Sequence, residues 1–310
     1  MSALQSPARM GNTVQSVDFD AGGTRLIGGR HFDFARQVAV MAIINRTPDS
    51  FYDQGKTFGL DAAVTAALAA VSDGADWVDV GGVPFGRGPA VSVQEELDRV
   101  IPVVEAIAAR SDVVISVDTT NAEVARASIL AGAGVINDTS GLYDPAMAST
   151  VAGSDATLVL THSLQPPRSE PPRPEYDDVV DEVVDFLGRA IARSVAAGIP
   201  LERLVVDPGH DLNKNTFHTL ELTRRLEEVV ALELPVLVAV SNKDFIGETL
   251  DRAKDQRLEG SIAAAVICIL KGARIVRMHD VPATVAAVRM TEAILGFREP
   301  VYAIHNRGEA

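Results

Sequence analysis

The chain has 310 residues and a formal charge of −14 at pH 7, from 28 basic and 42 acidic side chains. Because so acidic a protein repels nucleic acid and anionic membranes at long range, we exclude a nucleic-acid binder. The net charge does not exclude a local basic pocket for a phosphorylated metabolite. Apolar residues make up 47% of the chain and aromatic residues 5%, which predicts a large core built mainly from Ala, Val, Ile and Leu.

The N-terminus has no apolar signal core, and no apolar run reaches the roughly 20 residues that span a bilayer, so we expect a cytoplasmic protein. Cys268 is the single cysteine and lies in the apolar run Ile262–Leu270. We therefore expect a reduced thiol packed as a small hydrophobic residue, without a disulfide or a cysteine-based zinc site.

The first 15 residues are small and polar without periodicity, and we expect them to form a disordered tail. The stretch Val17–Arg36 holds "DAGGTR" between two short alternating runs, which predicts a hairpin with its turn at these residues. We assign residues 16–300 to one folded domain and residues 301–310 to a C-terminal tail.

From Val38 onward, short β-branched runs alternate with Ala-rich stretches of helical spacing. The predicted strands are Val38–Ile44, Trp77–Val80, Val113–Val117, Gly134–Asn137, Thr157–Thr161, Arg203–Asp207, Val236–Val240 and Arg274–Arg277. The predicted helices are Asp61–Ser72, Val93–Arg110, Ala122–Ala131, Tyr176–Ala197, Phe217–Val230, Leu258–Lys271 and Pro282–Leu295.

Helix boundary residues support this division. Asn121 and Asp144 are placed to cap helices, with Pro145 in a first turn. Glycines follow four helical stretches, at Gly74, Gly132, Gly198 and Gly272.

Eight strands that alternate with helices predict a (β/α)₈ TIM barrel with a short N-terminal hairpin. The alternative is a doubly wound open sheet, whose dinucleotide-binding version is disfavoured because no G-x-G-x-x-G follows the first strand. The Pro-rich segment Ser163–Glu175 lies between a strand and a helix and is predicted to be a mobile loop.

Polar residues stand at or near the carboxyl end of nearly every predicted strand. They are Asn45, Asp79, Asp118, Asn137, His162, Asp207, Ser241, Lys243, Arg277 and His279. Because these ends meet at one mouth of a barrel, we predict one convergent site in preference to independent helix caps.

The residue types of this site favour a heterocyclic ligand. Asp and Asn side chains match the amino, amide and ring-nitrogen edge of a pterin or purine, and the cationic groups suit a phosphate or pyrophosphate. The histidines at 162, 210 and 279 lack metal-ligand spacing, so we do not predict a zinc site.

Six motifs carry a family resemblance. They are "AIINRTPDSFYDQG", "WVDVGG", "ISVDTTNAEVARASILAGAGVINDTSG", "VVDPG", "PVLVAVSNKDFIG" and "ARIVRMHDV". In type and order they resemble the dihydropteroate synthase family over residues 38–281. The resemblance implies a (β/α)₈ barrel, usually dimeric, that condenses 6-hydroxymethyl-dihydropterin pyrophosphate with 4-aminobenzoate and releases pyrophosphate.

The resemblance also assigns the pterin and catalytic positions. Those that bind the pterin correspond to Asp118, Asn137, Asp207 and Lys243. The catalytic positions are Lys243 and Asp49, and the latter lies in a first mobile loop, residues 47–51, that shelters the reacting centre.

The same resemblance places the other ligands. Arg277 and His279 correspond to the pyrophosphate positions, Asn45 to the Mg²⁺ ligand, and Ser241 and Arg87 to the aminobenzoate side. The apolar stretches 262–270 and 281–295 match the family's dimer helices, which implies a homodimer.

The loop "GGVPFGRGP" departs from the family's Gly-Gly-Glu-Ser-Thr-Arg-Pro-Gly. Val83, Pro84, Phe85 and Gly86 take the places of Glu, Ser, Thr and Arg, and Arg87 follows one residue late. In the family this Thr and Arg hold the catalytic loop and border the aminobenzoate site. Glycine cannot replace a charged, fork-shaped donor.

A second departure lies at "DPGHDLNKN", where the family reads Asp-Pro-Gly-Ile-Gly-Phe-Gly-Lys. Asp211 and Asn213 replace glycines, and Leu212 replaces an aromatic residue. We expect Asp211 to add volume and an unpaired negative charge beside the pterin pocket. His210, without a family counterpart, is expected to be a solvated loop histidine.

Two more departures affect groups that embrace the pterin. Thr161 and Ser163 replace the methionines of Met-His-Met, and Asn242 replaces a stacking arginine in Ser-Arg-Lys. Four such changes at about 1 to 3 kcal/mol each weaken binding by several powers of ten if half of the sum is realised.

We therefore predict a dihydropteroate synthase paralogue with little or no synthase activity and poor binding of pterin pyrophosphate. A further possibility is a non-catalytic binder, which would keep a 4-aminobenzoate shelf near Ser241 and Lys243 and take up mimics such as sulfonamides or sulfones. The alternatives are an active synthase, in which Arg87 and His210 supply substitute contacts, and a pterin methyltransferase. The latter is weaker, because "SNKDFIG" and "RMHDV" are synthase-like.

Overall fold

The computed structural model describes residues 23–45, 59–84, 88–164, 167–170 and 173–306. The predicted tail at residues 1–15 lies outside these ranges. No helix within them is long and apolar enough to cross a membrane.

An antiparallel hairpin precedes the barrel. Its strands are β1 (Thr24–Ile27) and β2 (Arg30–Asp33). The turn predicted at "DAGGTR" is wrong, because the last two residues of that stretch already belong to β1. The chain turns instead at Gly28 and Gly29, whose φ angles of 56° and 78° favour glycine.

The hairpin closes the N-terminal end of the barrel. Ile27, Phe32 and Phe34 are buried against the first residues of several barrel strands, and the ring centroids of Phe32 and Trp77 lie 5.7 Å apart. This apolar cluster is separate from the core between strands and helices.

Eight parallel strands form the barrel, and the prediction of a TIM barrel is confirmed. They are β3 (Ala39–Asn45), β4 (Trp77–Gly81), β5 (Val114–Asp118), β6 (Val135–Asp138), β7 (Thr157–Thr161), β8 (Leu204–Asp207), β9 (Leu237–Val238) and β10 (Ile275–Met278). Their order is β8-β7-β6-β5-β4-β3-β10-β9, and a parallel bridge between Val206 and Val236 links the two outer strands. The ring is therefore nearly closed, which excludes the open doubly wound sheet.

Helices pack around this ring. They are α1 (Leu60–Ser72), α2 (Val93–Ala108), α3 (Ala122–Ala131), α4 (Met147–Ala152), α5 (Val179–Ala196), α6 (Thr216–Arg224), α7 (Leu226–Val230), α8 (Asp244–Leu250), α9 (Leu258–Leu270) and α10 (Val281–Ile294). The four glycines predicted to end helices all have φ between 99° and 116°. Cys268 is fully buried, as predicted, and burial raises the pKa of its thiol to about 12.

Several helix boundaries differ from the prediction. The helix predicted at 217–230 is divided at Arg225. The guanidinium of Arg225 pairs with Glu221 in α6, with Glu228 in α7 and with Asp178. Asp178 caps α5, which therefore begins three residues later than predicted. Asp144 does not cap α4; its carboxylate accepts hydrogen bonds from the amides of Ala146 and Ala122.

Candidate functional site

A cavity of about 300 Å³ opens at the carboxyl ends of the barrel strands. Its lining includes eight residues predicted from the sequence, namely Asn45, Asp118, Asn137, Asp207, Ser241, Lys243, Arg277 and His279. Asp49 and Arg87 lie outside the described residues. The structure thus brings eight of the ten strand-end residues of the predicted site to one cavity, as expected for a barrel, whereas Asp79 and His162 do not line it.

Asp79, one of the predicted strand-end residues, is fully buried beneath this cavity and connects several of its side chains. Its carboxylate accepts hydrogen bonds from Ser116 Oγ at 2.6 Å and Asn137 Nδ2 at 3.1 Å. It also pairs with Arg277 Nε at 2.6 Å, and the second arm of that guanidinium reaches Asp118 Oδ2 at 3.1 Å. One arginine of β10 therefore holds the carboxylates of β4 and β5.

Asp118 and Asn137 form a polar edge on the cavity wall. Asp118 also accepts from Thr139 Oγ1 at 3.1 Å. Burial raises the pKa of Asp118 to about 7, although Arg277 opposes the shift. The side-chain NH₂ group of Asn137 donates to Asp79, whereas its buried Oδ1 has no hydrogen-bond partner among the described residues. The edge offers an acid that holds a proton near neutral pH beside an unused acceptor.

The opposite wall carries Asp207 and Lys243. Burial raises the pKa of Asp207, although the hydrogen bond from the amide of Gly209 at 2.7 Å opposes this shift. Burial lowers the pKa of Lys243, although the negative charge of Asp211 opposes this shift. Arg257 fixes this wall from behind, because its guanidinium donates to the carbonyl of Lys243 at 3.1 Å.

Ser241 and His279 are coupled to each other. The hydroxyl of Ser241 accepts from the backbone amide of His279 at 3.2 Å and lies 2.9 Å from its Nδ1. The contact orients the imidazole at the end of β10 toward the same mouth.

The β8–α6 loop contains a buried histidine and a buried lysine, and the histidine, His210, also lines the cavity. His210 is 1% exposed, so the expectation of a solvated histidine is wrong. Neither of its ring nitrogens has a hydrogen-bond partner among the described residues, and burial lowers the pKa of His210 to about 3. Lys214 Nζ lies 2.8 Å from His162 Nδ1 and donates to the carbonyls of Gly209 and Leu212.

The pKa values of Lys214 and His162 are both strongly lowered. Burial lowers the pKa of Lys214 to about 7, although Asp207 opposes the shift. Burial and the charge of Lys214 lower the pKa of His162 to about 2. His162 is absent from the cavity lining, so this strand-end residue supports the floor from below.

Residues 41–279 match the family of pterin-binding enzymes. The chain is 46% identical over 281 residues to "Inactive dihydropteroate synthase 2" of Mycobacterium leprae, covering 89% of this chain and 96% of that one. It is 45% identical over 261 residues to "Dihydropteroate synthase" of Escherichia coli, covering 84% and 93%. The chain belongs to the dihydropteroate synthase family.

A solved structure agrees with this assignment. The Yersinia pestis dihydropteroate synthase, in a sulfonamide drug complex, superposes with a TM-score of 0.84 at 41% identity. The match covers 89% of this chain and all of that one. The fold of the barrel is therefore the one found in that synthase.

Asp211 lines the cavity of this synthase homologue, as expected, but its charge is not unpaired, so that part of the expectation is wrong. Its carboxylate accepts from the amides of Asp244 at 2.6 Å and Phe245 at 3.3 Å, and from Thr219 Oγ1 at 3.1 Å. The first two amides begin α8, so Asp211 caps that helix from another loop.

The φ angles explain why the family has glycines in this loop. Asp211 and Asn213 have φ of 63° and 53°, a left-handed region that Asp and Asn tolerate better than most residues. Asn213 Oδ1 then accepts from the amide of Leu164 at 2.5 Å, and its carbonyl accepts from Tyr176 at 2.8 Å. Both replacements gain contacts and leave the loop in the conformation that glycine permits.

The β4–α2 loop presents hydrocarbon where the family has polar groups. Val83 and Pro84 line the cavity in the places of Glu and Ser. Asn242, in the place of an arginine, lines it too, with its Oδ1 3.5 Å from Ser261 Oγ. The inner polar edge is therefore intact, whereas Val83, Pro84 and Asn242 lack the carboxylate, hydroxyl and guanidinium that the family pattern has at these three positions.

Proposed function

We propose that this protein is a dihydropteroate synthase paralogue with little or no synthase activity and weak binding of pterin pyrophosphate. The observation that carries this proposal is the cavity wall at Val83, Pro84 and Asn242, where the family pattern has Glu, Ser and Arg. A relative 46% identical is named inactive, which agrees with it. The Escherichia coli relative named dihydropteroate synthase is almost as similar, so overall identity does not distinguish the two functions, whereas these wall residues do.

Asp118, Asn137, Asp207 and Lys243 are the groups proposed to meet a pterin ring. Support comes from the polar edge, where a carboxyl with a pKa near 7 can donate and the unpartnered Asn137 oxygen can accept. Asp207 and Lys243 supply the opposite charges across the cavity. Lys243 and Asp49 keep the catalytic roles implied by the family as proposals.

Arg277 and His279 are proposed for a pyrophosphate, with Asn45 as the protein ligand of a Mg²⁺ ion. Mg²⁺ commonly takes one or two protein oxygens and completes its shell with phosphates and water, and the carboxamide of Asn45 at the cavity fits that demand. Bound Mg²⁺ would neutralise phosphate charge. Because Arg277 already pairs with two carboxylates, a pyrophosphate competes with Asp79 and Asp118 for its guanidinium.

Ser241, Lys243 and Arg87 are proposed for the aminobenzoate side, where sulfonamides and sulfones act as mimics. The hydroxyl of Ser241, held by His279, and the nearby ammonium support the binding of a carboxylate or a sulfonyl group. The Yersinia pestis synthase was solved with a sulfonamide drug, which makes this the ligand class to test first.

We further propose a homodimer through α9 and α10. Ile267, Leu270, Met290 and Ile294 on these helices are between 45% and 71% exposed, a cost in water that a second copy would remove. The buried, unpaired thiol is in keeping with the reducing cytoplasm as its location.

The test compares the protein with the Escherichia coli synthase in one assay. Calorimetry with 6-hydroxymethyl-dihydropterin pyrophosphate and Mg²⁺ is run beside a turnover assay with 4-aminobenzoate. Because the charge of Asp211 is paired, three of the four departures from the family pattern remain. At about 1 to 3 kcal/mol each, and with half of the summed free energy realised, they should weaken binding by about 10- to 1000-fold. Turnover and affinity equal to those of the control enzyme would contradict the proposal, and sulfonamide uptake without turnover would support it.

A further inference from the structure

A single arginine joins two loops above the cavity. Arg168, in the β7–α5 loop, donates from NH1 to the carbonyl of Pro84 at 2.5 Å and from Nε to the carbonyl of Pro89 at 3.3 Å. Its own carbonyl accepts from the amide of Gly88 at 3.2 Å. The three contacts, termed the Arg168 clasp, connect the loop after β7 to the loop after β4.

The clasp crosses a defined part of the mouth. In the barrel β4 and β7 are separated by β5 and β6, so a link between their loops spans the carboxyl ends of the two strands between them. Those ends carry Asp118 and Asn137, which share the cavity with Arg168 and Pro84. The clasp therefore joins two loops at the cavity that holds the polar edge.

The local backbone is shaped for the contact. Arg168 has φ of 62°, a left-handed conformation that is costly for a long side chain and is tolerated only where neighbours hold it. Gly88 lies so close under the guanidinium that a Cβ there would collide with its terminal nitrogen. The two accepting carbonyls belong to Pro84 and Pro89, whose rings fix φ and so leave the chain fewer conformations at both contacts.

We propose that Arg168 is a positioning residue that holds the described ends of the β4–α2 loop, at Pro84 and Gly88, beside the cavity and thereby limits access to Asp118 and Asn137. This inference rests on the proposed pterin site and adds the residue that governs its entry. The β4–α2 loop departs from the family at Val83 and Pro84, and the clasp brings a guanidinium to that loop from a different part of the chain.

Two variants break the clasp by different routes. Arg168→Ala removes the guanidinium, whereas Gly88→Ala keeps Arg168 but fills the space beneath it with a methyl group. Arg168→Lys keeps a cation with one donor group and should give intermediate values. Arg173→Ala, which removes an exposed arginine from the same loop, is the matched control.

Three measurements are made on each full-length variant. Amide exchange at position 88 reports opening of the clasp, and labelling of Asp118 by a water-soluble carbodiimide reports access without any ligand. Stopped-flow fluorescence with 6-hydroxymethylpterin gives the association and dissociation rate constants, and thermal unfolding detects a change in overall stability.

Arg168→Ala and Gly88→Ala should raise all of the rates by about 10- to 100-fold at an unchanged melting temperature, the effect of losing hydrogen bonds from a charged donor. Arg173→Ala should match the parent. Unchanged exchange in both variants overturns the clasp, and faster exchange with unchanged Asp118 labelling overturns its control of access. If the parent binds no pterin, the proposed ligand is wrong, while exchange and labelling still decide the role of Arg168.

Discussion

The replacement of His210 by isoleucine, which stands at this place in the family pattern where no histidine occurs, should stabilise the protein. Both ring nitrogens are buried without partners among the described residues, and leaving a buried polar group unpaired costs about 1 to 3 kcal/mol. Isoleucine has no such group, so the free energy of unfolding at pH 7.5 should rise by about that amount.

The gain should also grow in acid. The pKa of His210 is about 3 in the folded protein and 6.5 as a model group, so the unfolded chain takes up a proton below pH 6.5 that the folded chain refuses. The parent therefore loses stability as pH falls through 6.5, and isoleucine does not. At pH 5.5 the variant should gain about 1.4 kcal/mol more than at pH 7.5.

Urea unfolding at pH 7.5 and 5.5 measures both terms. His31→Ala removes an exposed imidazole from the hairpin and should change stability by less than about 0.5 kcal/mol at pH 7.5. A destabilised His210→Ile protein, or a gain that is equal at the two pH values, would show that the imidazole is paired or open to solvent.

Three further predictions concern other contacts. Asp211→Ala removes the cap of α8 and should cost about 1 to 2 kcal/mol in urea unfolding, whereas Asp255→Ala at an exposed site should cost little; equal effects would refute the capping role. Asp79→Ala leaves Arg277 with a weakened pair and should cost about 3 to 5 kcal/mol, and a loss under 1 kcal/mol would contradict this connecting role of Asp79. Ile294→Asp should halve the mass measured by light scattering, and an unchanged dimer would exclude this face.

The barrel could be predicted from the sequence because its signals are local. Alternating β-branched and helical runs, with glycines at helix ends, set the element order, and parallel strands then bring their carboxyl ends together. For this reason Asp118, Asn137 and Asp207 lie in one cavity, as expected.

The errors concern side-chain direction between distant segments. Arg277 meets Asp79 across 198 residues, and Asp211 reaches the amide of Asp244 across 33. No spacing rule shows that a loop carboxylate will turn toward a helix start, or that His210 will be buried. The bond from Arg168 to the Pro84 carbonyl also joins segments 84 residues apart, each of which reads alone as an ordinary loop.

The pKa of Asp118 near 7 has a consequence for calorimetry. This carboxyl therefore changes protonation near neutral pH, and a ring that contacts it or displaces Arg277 will shift its pKa. Protons then pass to or from the buffer as the complex forms. The apparent heat of association should differ between phosphate and Tris, and the slope against buffer ionisation enthalpy counts the protons exchanged.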